Sequence, residues 1–204
     1  MREPGGAGDI AAAFPRPGRV LKTLLILIAV FAVVGAVIVH WAPGGERGVE
    51  LFSWLAFQPK DHHLLLTRPW TFLTSGLLTV PSGIGHAMWS LVGLYFLTPD
   101  LEKRWGGARL LRFLMMSVVI GNLFVLAGTF LPFQGNLKQS FSPPLVVGPM
   151  AAIVASTIAW AKENAHRQIR FMFVLPMSGK LLFWITIGMT LLGAFLTPDL
   201  LGGA

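Results

Sequence analysis

Cysteine does not occur anywhere in the 204 residues. That absence excludes a disulfide framework, a thiolate zinc site and a cysteine nucleophile together. Charge is scarce too: 12% of the residues are charged, half of the roughly 25% typical of a soluble domain. Acidic side chains are the scarcest, 9 Asp and Glu against 16 Lys and Arg. What fills the chain is apolar, with 54% hydrophobic residues and a mean hydropathy of +0.67. This composition excludes an ordinary soluble domain and points to a membrane protein. A pI near 10.6 would also suit a nucleic-acid binder. Loop lysines and arginines give a helical membrane protein the same value, so no nucleic-acid partner is expected.

A bilayer core takes about 20 apolar helical residues to cross. Five uncharged segments reach that scale: 23–42, 70–99, 113–136, 139–161 and 181–198. They predict spans at about 21–41, 82–98, 110–132, 147–162 and 180–197. The first is too long for a signal-peptide core, and Val39-His40-Trp41-Ala42-Pro43 is a poor cleavage site, so an uncleaved anchor is expected. With the N-terminus in the cytoplasm, the inner segments hold 12 of the 16 basic residues. The outer ones hold Arg47, Lys60, Arg68 and Lys138. That bias obeys the positive-inside rule. Trp41, Trp105, Trp160 and Trp184 fall near span ends, where interface anchors sit. The expected location is a bacterial-type inner (plasma) membrane.

Residues 1–19, rich in Gly, Pro and Ala, read as a disordered cytoplasmic tail, and 20–204 as one transmembrane domain. The outer segment 42–81 contains Leu51 to Phe57 and Leu64-Leu65-Leu66, which suits short helices lying in the interface. Residues 133–144 form a second outer loop, and 165–179, with Pro176, an inner connection. Gly148, Ala152, Ala155 and Ala159 leave one helix side nearly bare. Such a face lets backbones approach closely, either as generic packing or beneath an outer cavity. Asp61-His62-His63 lacks convincing ligand spacing, so neither a metal nor a cofactor is expected.

Two stretches give the bundle a family likeness. Thr67-Arg68-Pro69-Trp70-Thr71 precedes the second span, and Leu101-Glu102-Lys103-Arg104-Trp105-Gly106 follows it. With His86 near the start of that span and Pro176-Met177-Ser178-Gly179-Lys180 before the fifth, the chain resembles the rhomboid intramembrane serine proteases from about Leu51 to Gly193. Glu102, Arg104 and Gly106 are the most specific part of the likeness; Thr71 stands where arginine is usual. The resemblance implies an all-α, polytopic membrane bundle of about five transmembrane helices, with the family's sixth helix missing. Independently of it, opposite charges at a helix end, with Gly106 free to take a positive φ, can cap the helix and tie down the next turn.

The resemblance also implies a degenerate site. The family's nucleophilic serine falls at Met150, after the matching Gly148, while His86 matches an oxyanion-binding histidine and Ser90 replaces the asparagine one turn on. The family's base lies on a sixth span, about where this chain ends at Ala204, so no base is expected. A nucleophilic hydroxyl must lose a proton to a positioned base. The thioether of Met150 has none to lose, and Pro149 cannot donate a backbone hydrogen bond. Ser156 lies roughly 9 Å further along the helix; Ser142 precedes it, and Ser178 and His166 sit on the inner side. None of these makes a serine–base pair.

The expected function is therefore that of a proteolytically inactive scaffold binding or holding transmembrane client proteins in the lipid bilayer. One alternative is a rhomboid-family intramembrane serine endopeptidase working through an unrecognised residue. Another is a channel or transporter, against which stands the lack of a charge deep in any span.

Overall fold

The computed structural model describes residues 15–41, 45–81, 83–131, 143–165, 168–171 and 175–195. Helices occupy all five apolar segments: α1 (Arg19–Trp41), α5 (Ile84–Leu97), α7 (Gly107–Thr129), α8 (Met150–Glu163) and α9 (Gly179–Phe195). Between α1 and α5 lie three short helices, α2 (Gly45–Ser53), α3 (His62–Thr67) and α4 (Thr71–Thr74), the last running into a 3₁₀ turn at Ser75–Leu77. A seven-residue helix, α6 (Pro99–Trp105), follows α5. Two strands, β1 (Gln168–Phe171) and β2 (Leu175–Ser178), pair antiparallel as a hairpin. The inner connection expected at 165–179 is thus partly β-structured. Of the expected tail, residues 1–14 lie outside the described residues, whereas Arg19 already belongs to α1.

Segments Arg19–His40 and Gly107–Thr129 are long and apolar enough to cross a membrane. Helices α5 and α8 have 14 residues each, about 21 Å of rise, short of a core about 30 Å thick. The ladder of α5 nevertheless continues into α6, because Thr98 N–H donates to Leu94 O (3.1 Å) and Glu102 N–H to Thr98 O (2.8 Å). Pro99, which lacks an N–H, sits at the junction as the first residue of α6.

The bundle has two ends. At one, the start of α1 meets α6 and the start of α7, and the end of α8 meets the start of α9. Because this end gathers most of the basic side chains, it is termed the basic end. At the other, His86 of α5 meets Gly148 just before α8. Leu24, Ile28, Leu94, Leu114, Trp160 and Leu182 bring α1, α5, α7, α8 and α9 into one core. Helix α8 is central, packed by α5, α6, α7 and α9, as its small residues anticipate. A Cβ added at Gly121 of α7 would lie 2.6 Å from that of Ala151, so glycine is what permits this approach.

The outside of the bundle is apolar. Val33 (63% exposed), Trp89 (63%) and Ile120 (60%) all face outward. A helical surface of this kind suits hydrocarbon and not water. The tryptophans divide: Trp184 is 61% exposed, but Trp160 is only 6% exposed and belongs to the core. The expectation that Trp160 anchors an interface therefore fails. It lies one turn beyond Ser156 on the buried face of α8 and directs its Nε1–H to Asp100 Oδ2 (3.4 Å).

Candidate functional site

Gly148 adopts φ +107°, a conformation that side chains disfavour. Its N–H donates to Ser75 O at 2.8 Å. A Cβ there would lie 2.5 Å from Cε1 and 2.9 Å from Nε2 of His86, so the imidazole rests on the bare Cα. The His86 Nδ1 accepts a long bond from Val80 N–H, 3.4 Å. That contact assigns the proton of a neutral ring to Nε2, beside Gly148. Pro149 then precedes the first turn of α8 with no side-chain cap. Met150 is 52% exposed.

The sequence pairs His86 with Ser90, one turn on. Ser90 is fully buried, and its hydroxyl has no hydrogen-bond partner. Ser156 is in the same condition. Among the described residues no serine hydroxyl bonds to a histidine. Ser142 and His166 lie outside the described residues. The Asp61-His62-His63 run has structural employment: Asp61 caps α3 by accepting from Leu64 N–H, and the His62 ring stacks on Phe130 at 5.0 Å.

Sequence reasoning missed a residue that braces this corner. Asn122, in the middle of α7 and 4% exposed, donates through Nδ2 to Phe72 O (2.9 Å) and to Ser75 Oγ (2.8 Å). Since Ser75 O receives the Gly148 N–H, Asn122 links α7, the 3₁₀ turn and the entry to α8. Phe57 and Val146 add a backbone bridge nearby, with N···O distances of 3.2 and 2.8 Å. A lone side-chain amide in the uncharged part of this helix, beyond Arg112, was the available signal. Asn122→Ala is expected to cost about 1–2 kcal/mol, the scale of two hydrogen bonds in an apolar surround, read from unfolding in mixed micelles. An unchanged midpoint would remove the brace.

The Trp70 and Glu102 elements hold other parts of the frame. Trp70 Nε1–H donates to Trp54 O (3.1 Å), while the guanidinium of Arg68 lies 4.1 Å from the centroid of the Trp54 ring. The arginine of this turn thus precedes Pro69, and Thr71 instead closes on Arg68 O through its hydroxyl (2.8 Å).

Gly106, at φ +79°, ends α6, its N–H returning to Glu102 O (2.8 Å). The carboxylate of Glu102 does not serve its own turn, as the sequence suggested. It reaches α1 and accepts from the N–H groups of Gly18 (2.8 Å), Val20 (3.1 Å) and Leu21 (3.4 Å). Arg104 likewise reaches away, to Glu163 (3.3 Å) and Asn164 Oδ1 (3.1 Å) near the end of α8. Trp105 Nε1–H joins them at Glu163 Oε1 (2.6 Å). The Arg104–Glu163 pair is partly exposed, and such pairs are worth about 0–1 kcal/mol. Glu102 is only 7% exposed and carries the greater share.

A family described as eukaryotic integral membrane protein (DUF1751) matches residues 21–200. No curated protein matches the chain. The family's description is eukaryotic, so the bacterial-type inner membrane expected from the sequence finds no support in it. The lipid bilayer as surroundings does, in agreement with the outward apolar faces of the helices. The match runs from the first turn of α1 to beyond the end of α9, well over half of the chain, and on that basis the chain belongs to the eukaryotic integral membrane protein family DUF1751.

Proposed function

We propose that this integral membrane protein is a rhomboid-like scaffold without proteolytic activity, which binds or holds transmembrane client proteins. One observation carries the reading: His86 rests on Gly148 at the mouth of α8, and Met150 stands two residues on, where a nucleophile would be needed. A thioether has no proton to surrender and does not attack amides. Loss of the nucleophile costs a serine protease on the order of 10⁶ in turnover. Neither Ser90 nor Ser156 meets a histidine that could take its proton. What such a frame retains is an apolar outer surface and a braced entry to α8, against which a client helix can lie.

Purified protein mixed with a transmembrane test substrate is expected to leave it intact, and a fluorophosphonate probe to label no serine. Met150→Ser is expected to stay unlabelled too, because a hydroxyl alone lacks its base. Cleavage that depends on the chain, or labelling of any serine, would overturn the non-proteolytic reading. A photo-crosslinker replacing Trp89, which is 63% exposed on α5, is expected to capture the intact substrate helix. Failure to capture any transmembrane helix would overturn the client-binding part.

A further inference from the structure

Charge at the basic end is unbalanced in a way its acidic residues cannot correct. Asp100 is engaged by Trp160, Glu102 is spent on the amides of α1, and Glu163 is shared by Arg104 and Trp105. Among the described residues, Lys22, Lys103, Arg109, Arg112, Lys162 and Lys180 are among the cations that have no carboxylate partner there. At the opposite end the described charges balance, Glu50 and Asp61 against Lys60 and Arg68.

The placement of these cations says what they meet. Helices α1, α7 and α9 all begin at the basic end. Each carries a cation four residues before an exposed apolar side chain: Lys22 before Ile26 (54% exposed), Arg112 before Met116 (61%) and Lys180 before Trp184 (61%). Residues four apart share one helix face. Helical side chains lean toward the N-terminus, so each long basic chain leans out of the hydrocarbon while its apolar neighbour stays in it. The same motif three times gives charge at headgroup depth directly above acyl-chain depth. A soluble acidic peptide or a nucleic acid would use the charge but not the apolar residues beneath it.

We propose that the basic end is a binding annulus for anionic phospholipid headgroups, with Lys22, Arg112 and Lys180 each pairing a phosphate whose acyl chains run along Ile26, Met116 and Trp184. Arg112 is suited to this, since its Nε is tied to Ala108 O (3.4 Å) and the terminal nitrogens are left for a ligand. The inference requires a bilayer but not the client-holding role. A basic side chain near an anionic surface is worth roughly a fivefold preference.

The test uses the full chain in nanodiscs of phosphatidylcholine and phosphatidylglycerol in equal amounts. After gentle extraction, the lipids retained are counted by native mass spectrometry. The wild type is expected to retain the anionic lipid at least about fivefold over the bulk ratio. The triple variant K22Q/R112Q/K180Q should return to the bulk ratio, the charge-keeping K22R/R112K/K180R should retain the enrichment, and K60Q at the opposite end should change nothing. A wild-type ratio equal to the bulk, or enrichment that survives the triple glutamine variant, would overturn the proposal. Should that triple variant fail to fold, the wild-type ratio and the three single variants decide.

Discussion

Glu102→Ala is expected to destabilise the bundle by about 3 kcal/mol and to fray the start of α1. The carboxylate accepts three amides, from Gly18, Val20 and Leu21, at a site 7% exposed. Loss of a helix N-cap costs about 0.5–2 kcal/mol, and a hydrogen bond to a charged group contributes about 1.5–3. Alanine would leave these donors unmatched at the positive end of the helix dipole. Glu102→Gln keeps the shape and one accepting oxygen but gives up the charge, so about half the loss is expected. Hydrogen exchange provides the local readout, with the Gly18, Val20 and Leu21 amides losing protection before the middle of α1. Unchanged exchange there, whatever the global stability, would show that the carboxylate does not hold this helix.

Gly148→Ala is the second large effect, expected at about 2–6 kcal/mol. A side chain at φ +107° stores about 1–3 kcal/mol of backbone strain. The added methyl would also press on the His86 ring at 2.5 Å, an overpacking typically worth another 1–3 kcal/mol. These two contributions can be separated. In the double variant with His86→Ala the ring is gone, so the packing share should return while the backbone share remains. A cycle of the two single variants and the double variant should show coupling of about 1–2 kcal/mol. Simple additivity would mean that the ring and the glycine do not touch.

The parts of this protein that could be read in advance are those where the physics is local. Apolar runs of helical length predict helices, and α1, α5, α7, α8 and α9 lie on the five runs. Gly106 was legible as a helix stop, because a positive φ after a charged turn is a property of a few consecutive residues. So was the central position of α8, whose small side chains favour close neighbours in any arrangement. Trp160 shows where local reading misleads. Position near a helix end suggested an interface, but the face it occupies is the one α8 turns toward the core.

Charged and polar side chains gave up their types to the sequence but not their partners. Glu102 was recognised as a tie, yet the amides that donate to it lie 84 to 81 positions away at the start of α1. Asn122, 47 positions from Ser75, passed unnoticed in an apolar run, though it braces the corner where His86 meets Gly148. Hydropathy and turn chemistry are sums over neighbours along the chain, so they were complete before folding. A buried hydrogen bond depends on which helices the packed bundle sets side by side, and only the tertiary structure makes that choice.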